Sequence, residues 1–186
     1  MKITNEPLRE KIWQLSQEYV NQYLEIYDHL PLVEKDEGWD SPCEKGEFNE
    51  DFMLWQPQKV VDELSFKNVE DALGITLHED IQTYYTTMYS ELISVTCDEG
   101  NLCLLSPWSE KDFSRLQENI IGHILMKQKL KQEITVFFAI TDEEDHVLTI
   151  KNSSGEVWVE RVGCEPHKKL ADTIEQFLSQ LSPHVE

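Results

Sequence analysis

Cys97, Cys103, Cys164 and His167 are the side chains in this sequence best suited to hold a metal, because thiolates and an imidazole together bind zinc. Cys97 and Cys103 flank a tight turn, and Cys164 and His167 form a Cys-x-x-His pair. No Cys-x-x-Cys accompanies them, and small buried thiols behave as ordinary core residues, so the pattern favours free thiols over a zinc site. Neighbouring acids such as Asp62 with Glu63, or Asp98 with Glu99, have the types needed for acid–base work. In a chain with 36 Asp and Glu, however, such pairs arise by chance. The glycine-rich phosphate loops, the nucleophile elbow G-x-S-x-G and the zinc helix H-E-x-x-H are all missing. His123, beside Gly122 inside a long helical pattern, reads as a structurally satisfied histidine. A helix-interior glycine costs about 1 kcal/mol against alanine, so Gly122 suggests either close packing or a partner approaching the backbone.

The chemistry that remains is recognition by charge. Sixteen Lys and Arg against 36 Asp and Glu leave a formal net charge of −20, which repels phosphate backbones and anionic lipid and attracts a basic partner in a salt-dependent way. Nucleic acid is thereby excluded as a partner, as is direct lipid binding. Residues 1–108 carry 7 − 22 = −15 and residues 109–186 carry 9 − 14 = −5, so the acidity is lopsided. Trp55 and Trp108 lie near prolines in polar surroundings, where ring faces beside acids could form a groove for Arg and Lys stems.

These residues must be positioned by a small set of elements. Leu8, Ile12, Leu15, Tyr19, Tyr23 and Ile26 recur at helical spacing, with Thr4 or Asn5 as cap and Pro7 in the first turn. The acid-rich segment Val33–Asp51 has no sustained period and reads as a long loop. A short strand FMLW leads into WQPQ at Trp55–Gln58. Ser65 and Gly74 bracket a short helix, and His78–Thr87 is read as a second. Met88–Thr96 and Leu102–Ser106 read as two strands of a hairpin joined through DEGN. Ser109 and Asp112 resemble a capping box at the start of the clearest helix, whose apolar face is Phe113, Leu116, Ile120, Ile121, Ile124 and Leu125, and whose last turns hold lysines 127, 129 and 131. TVFFAI, VLTIK and EVWVERV, joined through DEED and SSG, predict a three-stranded meander. Leu170, Ile174, Phe177, Leu178 and Leu181 predict a closing helix that stops before Pro183.

Helices at both ends with hairpins between them, and no βαβ alternation, predict an α+β fold with a mostly antiparallel sheet flanked by helices. The length of 186 residues suits one domain, 1–186. The longest apolar run, near Ile134–Ile140, is far short of the roughly 20 residues of a membrane span. The N-terminus lacks the basic start and apolar stretch of a secretory signal, and four irregularly spaced cysteines suit a reducing compartment, so a cytoplasmic protein is expected.

WQPQ at 55–58, YTT at 85–87, WSEKDFSRLQENIIGH at 108–123 and SGEV at 154–157 resemble the Syd family of SecY-interacting proteins. That family is similar to the wider SUKH superfamily of α+β domains, which includes immunity proteins against toxins. The resemblance runs from about residue 10 to FLSQL at 177–181. It implies a SUKH-like fold, no enzymatic activity and no cofactor. It also implies a concave acidic surface that docks on the basic cytoplasmic loops of SecY and monitors or proofreads translocon assembly. Attachment to the cytoplasmic face of the inner membrane is then peripheral and indirect, through SecY, by a protein expected to be a monomer. Basic loops of this kind are a general feature of cytoplasmic membrane-protein segments.

The expected contact residues are Glu63, Glu70, Trp108, Glu110, Asp112 and Glu118, with Trp55, Tyr85 and Thr86 as candidate walls of the groove. Two other readings compete. An immunity protein neutralising a basic toxin would use the same charge, and a zinc-dependent or carboxylate hydrolase would need the cysteine–histidine set to close on a metal.

Overall fold

A computed structural model describes residues 5–186. Helix α1 (Glu6–Tyr27) starts where the Asn5 side chain accepts the Leu8 N–H, with Pro7 in the first turn; Thr4, the other predicted cap, lies outside the described residues. Leu8, Ile12, Leu15 and Tyr19 are buried, but the stripe outruns the core: Tyr23 is half-buried and Ile26 is exposed.

The acidic segment is not a loop. Its ends form β1 (Leu32–Glu34) and β2 (Glu44–Glu47), which pair antiparallel on either side of β3 (Phe52–Trp55). Strands this short, with charged outward faces, leave no apolar period to read. The stretch between them is pinned by Trp39, whose backbone carbonyl accepts the Trp108 indole N–H at 3.2 Å and whose ring carries Lys111 and Arg115 on its faces, each about 5 Å from the centroid.

Strand β4 (Gln58–Lys59) is followed by α2 (Lys67–Leu73) and α3 (Glu79–Thr86), matching the two predicted short helices. Phe66 rather than Ser65 is the N-cap of α2, although the Ser65 hydroxyl accepts the Lys67 N–H; Gly74 closes the helix in the left-handed region. The strand expected over Met88–Thr96 is split. Strand β5 (Met88–Tyr89) pairs with β4, and Ser90 then donates to the Pro107 carbonyl, turning the chain before β6 (Ile93–Cys97). Strand β7 (Gly100–Leu104) completes the predicted hairpin with β6.

Helix α4 (Glu110–Lys129) has the Ser109 cap read from the sequence, its Oγ accepting the Asp112 N–H at 3.1 Å, but the reply of Asp112 falls one residue earlier than in a capping box, its Oδ2 accepting the Trp108 N–H at 2.8 Å. The meander follows as β8 (Thr135–Thr141), β9 (His146–Lys151) and β10 (Val157–Arg161). The closing helix is shorter than its pattern. Leu170 belongs to β11 (Lys168–Ala171), α5 spans only Ile174–Leu178 behind a Thr173 cap, and β12 (Ser182–Pro183) ends the order. Thr173 bonds the Gln176 N–H in extended conformation, and that cap starts the helix three residues after Leu170.

Seven strands form one antiparallel sheet in the order β11-β10-β9-β8-β7-β6-β12. Along β9 and β10 alternate residues divide the two faces. Thr149 and Glu160 turn to α4, whereas Leu148 and Val159 border the same cleft as Phe177 of α5. The α+β class with helices flanking antiparallel strands is therefore observed.

Candidate partner-binding face

The predicted contact residues do not gather into one concavity. Trp55, Tyr85 and Trp108 are core side chains, 1 %, 0 % and 6 % exposed. Trp55 meets Trp108 edge to face at 6.1 Å and stacks on Tyr19 at 6.4 Å; the Tyr85 hydroxyl donates to the Phe137 carbonyl. Burial pushes the Tyr85 hydroxyl well above its usual pKa. No ring face of these three is free to hold a cationic stem, so they are walls of the core and not of a groove. Thr86 is tied by its hydroxyl to the Gln82 carbonyl at 2.7 Å and is approached by Arg9. Glu70 accepts the Leu77 N–H at 2.9 Å, and Asp112 is both cap and ion-pair partner of Arg115, at 2.9 Å. Glu63, Glu110 and Glu118 remain exposed, Glu63 in the chain before α2 and the other two on α4. Helices α2 and α4 are joined by the paired amides of Asn68 and Gln117.

A different concavity is present, and the sheet topology builds it. The β6–β7, β8–β9 and β10–β11 turns all fall at one end of the sheet, because β7 returns beside β8 with Leu102 opposite Thr141, and Arg161 of β10 lies opposite His146. Asp98 and Glu99 and the run Asp142–Asp145 are thereby brought to that end, whereas Glu165 of the β10–β11 turn folds back to accept the Glu133 N–H at 3.2 Å before the start of β8. Behind the tips, on the α5 face, lies a cleft of about 370 Å³ floored by Leu102, Leu148, Val159 and Phe177 and edged by Glu99, Asp142 and Glu143. It adjoins a second hollow of about 340 Å³ through Asn101, Leu102 and Asp142, reaching Tyr19 and Tyr23 of α1 and the C-terminal residues His184–Glu186. None of the nine predicted contact residues lines this furrow.

Some of its acids are already partnered. Glu99 pairs with Lys168, His146 lies 2.9 Å from both Glu143 and Asp145, and the Arg161 guanidinium holds the Asp145 carboxyl below the usual carboxylate range. Asp98, Asp142 and Glu144 have no ion-pair partner among the described residues. The two turns share an end because β7 pairs antiparallel with β8 across the intervening α4, a pairing that the spacing of DEG and DEED does not reveal.

Cys97 and His167 line the cleft, Cys103 lines the second hollow and Cys164 is exposed on the β10–β11 turn. Among the described residues no three His, Cys, Asp or Glu side chains are grouped to hold a metal. His123 sits under α4 with Nε2 3.0 Å from Thr135 Oγ1 and 3.5 Å from Glu160, its ring edge-on to Phe137. Burial, reinforced by the Lys127 charge, lowers its pKa to about 4, so it is neutral at physiological pH and works as a structural link.

Gly122, next to it, is exposed, and a Cβ there would meet nothing within 4 Å. Close packing therefore does not account for the glycine. Gly122→Ala is expected to stabilise the free protein by about 1 kcal/mol in urea denaturation, the ordinary helix-interior difference; an unchanged or lowered midpoint would contradict the open surroundings.

An α+β fold with His123 engaged in structure and acids placed around an apolar-floored furrow has the features of a protein that acts by binding. The Syd protein (SUKH-2) family pattern matches residues 9–183. A Protein Syd of Colwellia psychrerythraea is 52 % identical over 191 residues, covering 98 % of this chain and 96 % of the relative. Those of Alteromonas mediterranea and Shewanella frigidimarina are 46 % and 42 % identical, over 89 % and 90 % of this chain and 92 % and 81 % of the relatives. The chain belongs to the Syd family, whose members are non-catalytic.

Proposed function

We propose that this protein docks on basic cytoplasmic loops of SecY through its acidic furrow, and so monitors or proofreads the assembly of SecY into the translocon. The observation that carries the reading is the juxtaposition of two acid-bearing turns, β6–β7 and β8–β9, beside a cleft with an apolar floor, in a chain of net charge −20 that belongs to the Syd family. Acids at the rim attract a cationic segment over a long range and raise the association rate, while the floor of Leu102, Leu148, Val159 and Phe177 provides area to bury once contact is made. No helix among the described residues is long and apolar enough to cross a membrane. Attachment through a membrane-embedded partner gives peripheral, indirect association with the inner membrane from its cytoplasmic side, by a single copy of the chain. Glu63, Glu110 and Glu118 form a second exposed acidic area and could extend the contact, with Glu70 and Asp112 at its edge.

Co-sedimentation with SecY-rich and SecY-depleted vesicles across a salt series tests this. Asp98→Lys, Asp142→Lys and Glu144→Lys together break no ion pair and reverse the charge around the furrow. Recovery with SecY-rich vesicles is expected to fall at least tenfold at low salt, with the fold unchanged by circular dichroism. The pair Glu110→Lys and Glu118→Lys is expected to have a smaller effect. The reverse ranking moves the contact to α4, and binding that ignores both salt and SecY content ends the proposal.

A further inference from the structure

Aromatic side chains continue the furrow out along α1 and onto the three-stranded sheet. Tyr19 and Tyr23 have ring centroids 6.2 Å apart, Tyr23 and Tyr27 4.7 Å, Tyr27 and His29 6.0 Å, and His29 and Phe48 4.7 Å. Tyr19 and Tyr23 line the hollow at one end of this ladder, and at the other Tyr27 and Phe48 are 38 % and 45 % exposed. The α1 part follows from helical spacing, since residues four apart stack along one face. The Phe48 part follows from the turn between β2 and β3, where Phe48 N–H bonds the Phe52 carbonyl at 2.9 Å.

Two features of the surroundings say what covers these rings. Acids border them: Asp28 follows Tyr27, and Glu50 and Asp51 follow Phe48, all exposed and without ion-pair partners among the described residues. Elsewhere the protein supplies its own cations to its half-buried indoles. Lys59 lies over Trp13, Lys111 and Arg115 over Trp39, and Lys151 over Trp158. Among the described residues no Lys or Arg lies over a ring of the ladder. It presents aromatic faces and unopposed carboxylates and lacks only the positive group that both would hold.

We infer that the ladder Tyr23–Tyr27–His29–Phe48 is a seat for arginine side chains of a basic polypeptide partner. Guanidinium fits this surface better than ammonium. Its plane stacks on rings, its fork bonds a carboxylate in two places, and it is more weakly hydrated, so it gives up less on leaving water. The seat extends the furrow and rests on the reading that a basic protein segment docks there; it adds that the segment is selected for arginine and not for charge alone.

The test uses a synthetic Arg/Gly/Ser peptide and its Lys/Gly/Ser counterpart of equal length and charge, titrated into the full chain at low and moderate salt. The arginine peptide is expected to bind about fivefold or more tightly, the effect of one to two exposed cation–π contacts. In Tyr27→Ala with Phe48→Ala, two exposed positions, the arginine peptide is expected to fall to the level of its lysine counterpart while the salt dependence stays. Equal affinities in the unsubstituted chain, an arginine preference that survives in the double variant, or no binding of either peptide overturns the seat. The vesicle experiment separates this from the partner reading: arginine preference without SecY-dependent recovery keeps the seat and removes SecY, and SecY-dependent recovery unaffected by the double variant keeps SecY and removes the seat.

Discussion

Replacing Lys127 with methionine is expected to destabilise the fold by about 3–5 kcal/mol, the cost of leaving a buried charge without its partner. Lys127 and Glu160 both have fully buried side chains, 3.3 Å apart. Sequence reading placed Lys127 among the lysines that complement the end of the helix dipole; the structure turns it inward, where its ammonium also donates to the Cys164 carbonyl at 2.8 Å. Glu160 in turn accepts the hydroxyls of Thr135 and Thr149, at 2.9 and 3.0 Å. One carboxylate on β10 thus ties β8, β9 and α4 together. Methionine keeps the unbranched stem of lysine without its ammonium and leaves that carboxylate buried and uncompensated. Adding Glu160→Gln to Lys127→Met removes the orphaned charge and is expected to recover part of the loss, measured by urea denaturation. A Lys127→Met variant within about 1 kcal/mol of the parent would show that the carboxylate finds water instead.

The same network gives stability an acid limb. The groups facing His123 are Lys127 on its own helix, Thr135 and Phe137 on β8, and Glu160 on β10. Its folded pKa of about 4 is below the usual 6.5 of an unfolded chain. Between those values the unfolded state binds more protons than the folded state, so stability rises with pH through the window and is lost as pH falls from 6.5 toward 4. The full span corresponds to about 3 kcal/mol. His123→Gln should flatten the slope between pH 6.5 and 4, and an unchanged slope would locate the titration elsewhere.

The second large effect concerns Trp55. Trp55→Ala is expected to cost about 3–5 kcal/mol and to lower the urea midpoint accordingly, because a tryptophan in a packed core leaves a cavity that its neighbours fill only partly. Tyr19 stacks on it and Trp108 meets it edge-on, so α1, β3 and the loop leading into α4 would all lose contact. Trp55→Phe should recover more than half of the loss. A groove wall would behave differently: alanine there would leave stability nearly unchanged and would weaken binding. A Trp55→Ala variant as stable as the parent would restore the groove reading.

Those expectations show what was legible and why. The bounds and most of the buried face of helix α4 could be read because its signals agree, a Ser109 cap, an Asp112 reply and an apolar period that buries Phe113, Ile120 and Ile124, although Leu125 of the expected apolar face is exposed and Lys127 is buried. The meander of β8, β9 and β10 was legible for the same reason, with strong strand formers between turn-forming residues. Where one signal stood alone it misled. Leu170 fits the period of the last helix, yet backbone pairing with β10 makes it a strand residue and Thr173 sets the helix start. The acidic segment has two strands that owe their pairing to β3, a tertiary cause with no local trace. The site was the least legible. Polar neighbours in the chain suggested exposure for Trp55 and Trp108, but exposure depends on what packs from distant segments, such as the Ser41 hydroxyl bonded to the Trp108 carbonyl. Acids could be counted from the sequence, whereas the end of the sheet they share required the strand order.

The two rims of the seven-stranded sheet have a consequence for life at high concentration. At one rim β12 is two residues long and contains Pro183, which offers no N–H; at the other, β11 begins with Lys168 and Lys169 and meets β10 through a shifted register. An incoming strand would find few backbone groups to zip onto at the first and a charged, bent lip at the second. Self-stacking into fibrils is discouraged at both borders, so a chain rich in strands can remain dispersed while its side-chain surface stays open to another protein.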